Sequence, residues 1–134
     1  MATTDTENTS HYDEMLAEVQ TLYNAGRDQE ASERADKLLG KMERQGLNDS
    51  LLYSEAMRLF GMVQYRMENY PMADGALRFA YETRNAQGKG GDAVGIGILQ
   101  ALSEIAILRD QPVEAGSLLT LISQHLEEQN HPDK

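Results

Sequence analysis

The most constraining feature of this sequence is an alanine that recurs at a fixed distance. Ala31 and Ala73 are 42 residues apart, and so are Ala73 and Ala115. Each alanine lies in the first turn of an apolar segment with helical periodicity. A fixed internal period of this length is typical of repeat proteins, in which copies of one supersecondary unit stack on each other. The 134-residue chain is therefore predicted to form one domain of three units.

A second amphipathic helix precedes each alanine. Its apolar residues, spaced by three and four, are Tyr12, Met15, Leu16, Val19 and Leu22, then Leu52, Ala56, Leu59, Phe60 and Val63, then Ile98, Leu99, Leu102, Ile105 and Ala106. No segment alternates as a strand does, so the fold class is predicted to be all-α, with three antiparallel helix pairs. The helices are expected at about residues 12–25, 29–45, 51–67, 71–87, 93–109 and 112–129.

Residues that favour helix ends support this division. Asp28, Asn69 and Asp110 are predicted to cap helix starts, and Gly46 and Gly88 to end second helices in the left-handed conformation. The expected domain covers residues 11–130, with units at about 12–46, 51–88 and 92–130, a disordered N-terminus at 1–10 and a tail at 131–134.

The middle unit resembles the tetratricopeptide repeat, which needs small residues where its two helices cross. The matching residues are Phe60, Gly61 and Tyr65 in the first helix and Ala73, Leu77 and Ala80 in the second. Val19 and Ser103 replace the glycine in the flanking units. The period exceeds the usual ~34 and overlaps the ~40–47 of HEAT and armadillo repeats, but the short turn within each unit favours a long, kinesin-light-chain type of tetratricopeptide repeat. The resemblance implies a right-handed superhelical array.

In tetratricopeptide arrays the first helices line a concave groove that holds a partner peptide. Carried over to this chain, the groove comprises Gln20, Tyr23, Asn24, Arg58, Met62, Tyr65, Arg66, Gln100, Glu104 and Leu108. Arg58 and Arg66 are candidates to grip a carboxylate or backbone carbonyls. The alternative is that they pair with neighbouring acids such as Glu55 or Glu104. The family's carboxylate clamp is not reproduced, because Leu16 and Gln20 stand at its positions.

Charge and composition exclude several partners. The net charge of −10 and the pI of about 4.6 oppose binding to nucleic acid or an anionic membrane. No apolar run has the length of a membrane span, and residues 1–10 do not read as a secretory signal, so a cytoplasmic protein is expected. The chain has no Cys, which removes thiolate metal sites and thiol nucleophiles.

Catalytic motifs are missing as well. His11, His125 and His131 lack metal-ligand spacing and are expected on solvated surface. The segment from Gly88 to Ala93 fits a dinucleotide-binding fingerprint by its letters, but a helix rather than a strand precedes it, which favours a linker. We therefore expect no enzyme, no cofactor and no metal site.

The last helix carries an apolar stripe wider than one neighbouring helix can cover. Its residues are Val113, Leu118, Leu119, Leu121, Ile122 and Leu126. Leu119, Ile122 and Leu126 are expected to pack inward. Leu118 and Leu121 are expected to stay uncovered and to form an edge for self-association or for a partner helix.

These patterns favour a non-enzymatic adaptor that binds a peptide or helix of another protein in the groove. A narrower version is a secretion-type chaperone, which would hold an export substrate. A self-assembling scaffold, joined through the open C-terminal edge, is the alternative of a different class.

Overall fold

The computed structural model describes the backbone of residues 2–130 and the side chains of residues 11–130. Over that range it contains six α-helices and no strand. They are α1 (Ala2–Asn24), α2 (Asp28–Arg44), α3 (Leu51–Arg66), α4 (Tyr70–Ala86), α5 (Ala93–Leu108) and α6 (Pro112–Gln129). The all-α prediction is confirmed, and except at the start of α1 the helix ends agree with the sequence pattern to within a residue.

Helix α1 begins at Ala2, about ten residues before the predicted start. The segment from Ala2 to Ser10 contains neither Pro nor Gly, so no residue in it interrupts the helix. The side chains of residues 1–10 and all of residues 131–134 lie outside the described part of the chain. Disorder at the two ends therefore stays a prediction.

The connections repeat as regularly as the helices. Three residues join the helices of each pair, at 25–27, 67–69 and 109–111, and six residues join consecutive pairs, at 45–50 and 87–92. Positive φ angles occur at Gly26, Glu68 and Asp110, which are 42 residues apart, and again at Gly46 and Gly88. The predicted left-handed ends at Gly46 and Gly88 are confirmed. The 42-residue period therefore extends to the backbone conformation of the turns.

The predicted caps are wrong at three helix starts. The side chains of Asp28, Asn69 and Asp110 make no capping hydrogen bond. Asp28 is the first residue of α2 and Asp110 lies one residue before the cap position of α6, so Arg27 and Gln111 hold the cap positions instead. Asn69 is at the cap position, but its ψ of 70° differs from the extended backbone of Ser50 and Asp92, with ψ of 152° and 175°. These two residues cap α3 and α5 by accepting from the Tyr53 and Gly95 N–H groups.

Helix packing follows chain order. Each helix packs on the next, and the first helices also contact each other, α1 with α3 and α3 with α5. Among the described residues the backbones of the second helices α2, α4 and α6 do not approach one another closely. Side chains of α4 and α6 nevertheless meet, since Arg78 donates to Glu114 at 2.9 Å and the Tyr81 hydroxyl lies 2.9 Å from His125. One side of the molecule is therefore a continuous row of first helices. On the other side a cleft lies between α2 and α4.

Gly61 lies where the two helices of the middle pair cross. A Cβ atom on Gly61 would lie 2.7 Å from the Leu77 Cγ and 3.2 Å from the Leu77 backbone nitrogen. The sequence expectation of a small residue at this crossing is therefore confirmed. Val19 and Ser103, which occupy the equivalent positions, are both buried.

Candidate functional site

We call the ten predicted groove residues on α1, α3 and α5 the first-helix face. Within this face, Arg66 of unit two contacts Tyr23 of unit one. The Arg66 guanidinium lies 4.0 Å from the centre of the Tyr23 ring. Arg66 also donates to the Tyr23 carbonyl at 2.6 Å and, through Nε, to the Asp28 carboxylate at 2.8 Å. The side chain is therefore held by three partners inside the molecule, which sequence reasoning did not find.

The second arginine of the face also has an internal partner. Arg58 Nε donates to Glu55 Oε1 at 2.6 Å, one helical turn away. This is the pairing that the sequence offered as the alternative to peptide binding. Glu55 is further neutralised by Arg84, whose Nη1 lies 3.9 Å from its second oxygen. Neither Arg58 nor Arg66 is thus an isolated positive charge awaiting a ligand.

Units two and three meet on the same face at Tyr65. Its ring centre lies 6.2 Å from that of Tyr70. Burial, and after it a hydrogen bond to the Glu104 carboxylate, raises the pKa of the Tyr65 hydroxyl to about 12. The tyrosine therefore stays neutral at physiological pH and joins α3 to α5.

The other members of the face are more loosely held. Gln20 donates to the Asn24 side chain at 2.9 Å, and Met62 is half-buried against the main core cluster. Gln100 and Leu108 are exposed on α5. The structure thus brings predicted residues of all three units onto one surface. Polar and apolar side chains are mixed along it, and Leu108 is its exposed aliphatic residue.

The assignment of the last helix must be corrected. Leu118, predicted to be uncovered, is only 6% exposed, and Leu121 is half-buried; Leu119 and Leu126, predicted to pack inward, are 49% and 45% exposed. Only Ile122 is buried as expected. The backbone of α6 approaches α5 alone, while its contacts with α4 are made by the side chains of Glu114 and His125. The helix therefore buries a single narrow stripe at Ala115, Leu118 and Ile122.

A cleft of about 770 Å³ opens between α2 and α4, on the side away from the first-helix face. Its apolar lining includes Leu39, Met57, Phe60 and Met72. Tyr53 lies at its edge and donates to Glu43 at 2.7 Å; burial, and then this bond, raises the pKa of Tyr53 to about 12. The sequence patterns did not predict this cleft. The cleft arises because α2 and α4 do not touch, which no local pattern reports.

Histidine placement also differs from expectation in one case. His125 is half-buried, and its Nε2 lies 2.9 Å from the Tyr81 hydroxyl, whereas His11 is exposed and His131 lies outside the described residues. Residues Gly88 to Asp92 form the link between α4 and α5, as predicted. Within the described side chains, no group of three or more His, Cys, Asp or Glu residues is placed to hold a metal ion.

None of the known protein-family models matches the sequence, and no curated protein matches it either. In the described part of the chain, no helix combines the length and the apolar content needed to cross a bilayer. Fold and face together define an all-α protein of three stacked helix pairs.

Proposed function

We propose that this protein is a non-enzymatic adaptor of the tetratricopeptide-like kind, which binds a peptide or helix of another protein along the first-helix face. The observation that carries the proposal is the continuous row of α1, α3 and α5. Residues at equivalent positions in three units thereby share one surface, and this is how helical repeat proteins build extended binding sites.

The side chains on this face suit a peptide ligand. Arg66 is held over the Tyr23 ring before any ligand binds. When a peptide carbonyl accepts from its remaining N–H donors, Arg66 therefore loses less side-chain conformational entropy than a mobile arginine would. The amides of Asn24 and Gln100 can pair with peptide backbone, and Leu108 offers an apolar contact. The proposal includes the right-handed superhelical stacking that the tetratricopeptide resemblance implies.

Site-specific photo-cross-linking in the native host tests the adaptor function. A photoreactive residue at Gln100 or Leu108 should capture one partner protein, because both positions are exposed on the face. The same residue at Glu82, exposed on the second helix α4, is the control and should not capture it. Capture from Glu82 alone would place the binding surface on the second helices.

Affinity for the captured partner then measures the contribution of the face. The double variant Arg66→Gln, Leu108→Ala should lose more than ~1.5 kcal/mol of binding free energy, about tenfold in affinity. Arg66→Gln also removes the bond to Asp28, so unfolding of each variant is measured in parallel. Met72→Ala, an exposed apolar position on α4, is the matched control and should bind as the wild type does.

A further inference from the structure

Three aliphatic side chains form an uncovered surface at the C-terminal end of the array. Ile107 on α5 is 60% exposed, and Leu119 and Leu126 on α6 are each close to half exposed. We call these three residues the C-terminal patch. None of the three is among the ten residues of the first-helix face, which the patch borders at Glu104, one turn before Ile107.

The internal repeat shows what such positions do in the rest of the molecule. One unit earlier they are Tyr65, Leu77 and Arg84. Leu77 is fully buried in the cluster that contains the core residues of α5, Tyr65 packs against the same cluster, and Arg84 bonds Asp92, the cap of α5. In the middle unit these positions are therefore covered by the first helix of the next unit.

The first unit repeats the observation. Its equivalents are Tyr23, Ala35 and Met42. Ala35 and Met42 are fully buried in clusters shared with α3, and Tyr23 meets Arg66 of α3. The face that is covered by a helix in units one and two is thus apolar and open in unit three.

The charges around the C-terminal patch indicate what kind of helix could cover it. Neither α5 nor α6 contains Lys or Arg. Lys89 and Arg109 lie in the connecting turns, and Arg78 of α4 is paired with Asp74 and with Glu114 in the first turn of α6. Glu104 precedes Ile107 by one turn, and Glu127 follows Leu126 directly. We propose that the C-terminal patch binds an amphipathic helix of a partner protein, with aliphatic residues on one face and Lys or Arg beside them.

A second copy of this chain is a poorer occupant. Two patches placed face to face would bring Glu104 and Glu127 against the same carboxylates of a molecule that also carries a net charge of −10. Head-to-tail stacking would place α1 of a second copy on the patch, and the matching edge of α1 is polar. The residues of α3 that cover unit one are Tyr53, Ala56 and Phe60. Their equivalents on α1, 42 residues earlier, are His11, Glu14 and Glu18. Carboxylates would then be buried against leucines.

Two synthetic 18-residue helices test the proposal on the full-length protein. Both carry leucine on one face; one has Lys and the other Glu at the flanking positions. Labelled Lys peptide should bind at least tenfold more tightly than Glu peptide, and binding should weaken as salt is raised. It should also shift the methyl resonances of Leu119 and Leu126 in nuclear magnetic resonance spectra.

Substitutions that leave the net charge unchanged distinguish binding at the patch from a general attraction of the Lys peptide to an acidic protein. Leu119→Ser with Leu126→Ser should lower affinity for the Lys peptide at least tenfold. The control Val113→Ser, at an 83% exposed apolar position of the same helix, should change it less than twofold. Gln100→Ala on the first-helix face should leave it unchanged, so the outcome is independent of the adaptor proposal.

Three results would overturn this assignment. Equal binding of the two peptides would remove the charge argument, and an equal loss in Val113→Ser would show that binding is not at the patch. A wild-type dimer in sedimentation that Leu119→Ser with Leu126→Ser dissociates would make a second copy the occupant.

Discussion

Single residues decide how closely the helices of a pair approach. Gly61 allows α3 and α4 to cross at a distance that a Cβ atom would prevent, and the obstacle includes the Leu77 backbone, which cannot rotate away. Gln64 is a buried polar side chain of α3 that links units one and two, because it donates to Ser32 at 2.7 Å and accepts from Asn69 at 3.0 Å. The middle unit is thus closely fitted both within its own pair and against unit one.

Gly61→Ala should therefore destabilise the protein by about 1–3 kcal/mol, because the added methyl group overlaps Leu77. Gly75→Ala is the matched control, since it changes a helical glycine of α4 whose Cβ would meet nothing within 4 Å. This control should stabilise the protein by about 1 kcal/mol through helix propensity. Urea unfolding measures both; equal effects would mean that the crossing is not tight.

At the scale of the element, the starts of α3 and α5 are equivalent positions with different chemistry. Ser50 and Asp92 are 42 residues apart and both cap through a side-chain oxygen. Only Asp92 is charged, and it also pairs with the largely buried Arg84. Burial alone would raise the pKa of the Asp92 carboxyl, but the Gly95 N–H and the Arg84 guanidinium outweigh it and hold this pKa below its usual value.

Asp92→Ala should cost more stability at pH 7 than Ser50→Ala, which should lose only a cap worth about 1 kcal/mol. A carboxyl whose pKa is lowered by folding contributes its stability above its unfolded pKa of about 4, and that contribution is lost as the pH falls through the folded value. The excess cost of Asp92→Ala should therefore shrink below pH 4. Urea unfolding from pH 7 to pH 3 measures it. If the additional stability loss of Asp92→Ala did not change with pH, it would come from lost packing rather than from the charge.

For the whole molecule, stability depends on how many neighbours each helix has. α3 contacts α1, α2, α4 and α5, whereas α6 packs on α5, touches α4 only through polar side chains, and buries only Ala115, Leu118 and Ile122. In arrays of this kind each unit is stabilised by its own contacts and by those with adjacent units. The ends should therefore open more readily than the middle.

Native-state hydrogen exchange should show this gradient. Backbone amides of α3 and α4 should exchange most slowly, and those of α6 should exchange through local opening at a lower free energy than global unfolding. Addition of the Lys peptide should slow exchange in α6 selectively. Uniform protection from α2 to α6 would instead indicate a single cooperative unit.

The repeat, the helices and most of their ends could be predicted from the sequence, because each depends on local chemistry. Spacing of three and four residues defines an amphipathic helix, and glycine at Gly46 and Gly88 lowers the cost of the left-handed conformation. The tight crossing was also predictable, since Gly61 lies one residue after a large apolar side chain in the pattern of a known repeat.

The candidate site was predicted only in part. Equivalent positions identified which residues share the first-helix face, but not that Arg66 bonds Asp28, which lies 38 residues away in the chain. Such partners depend on how α1, α2 and α3 are placed in space. The caps were wrong for a related reason, because a turn's backbone angles decide whether Asn69 or Ser50 can reach an N–H group.

Residue spacing alone shows that α6 is amphipathic and that its apolar stripe is too wide for one neighbour to cover. Which part of the stripe is covered depends on tertiary contacts. Leu118 and Leu119 are adjacent, both are leucine, and they point about 100° apart around the helix axis. Contact with α5 buries the first and leaves the second at the open end, because a helix fixes the angles between its side chains but not the direction from which its neighbour approaches.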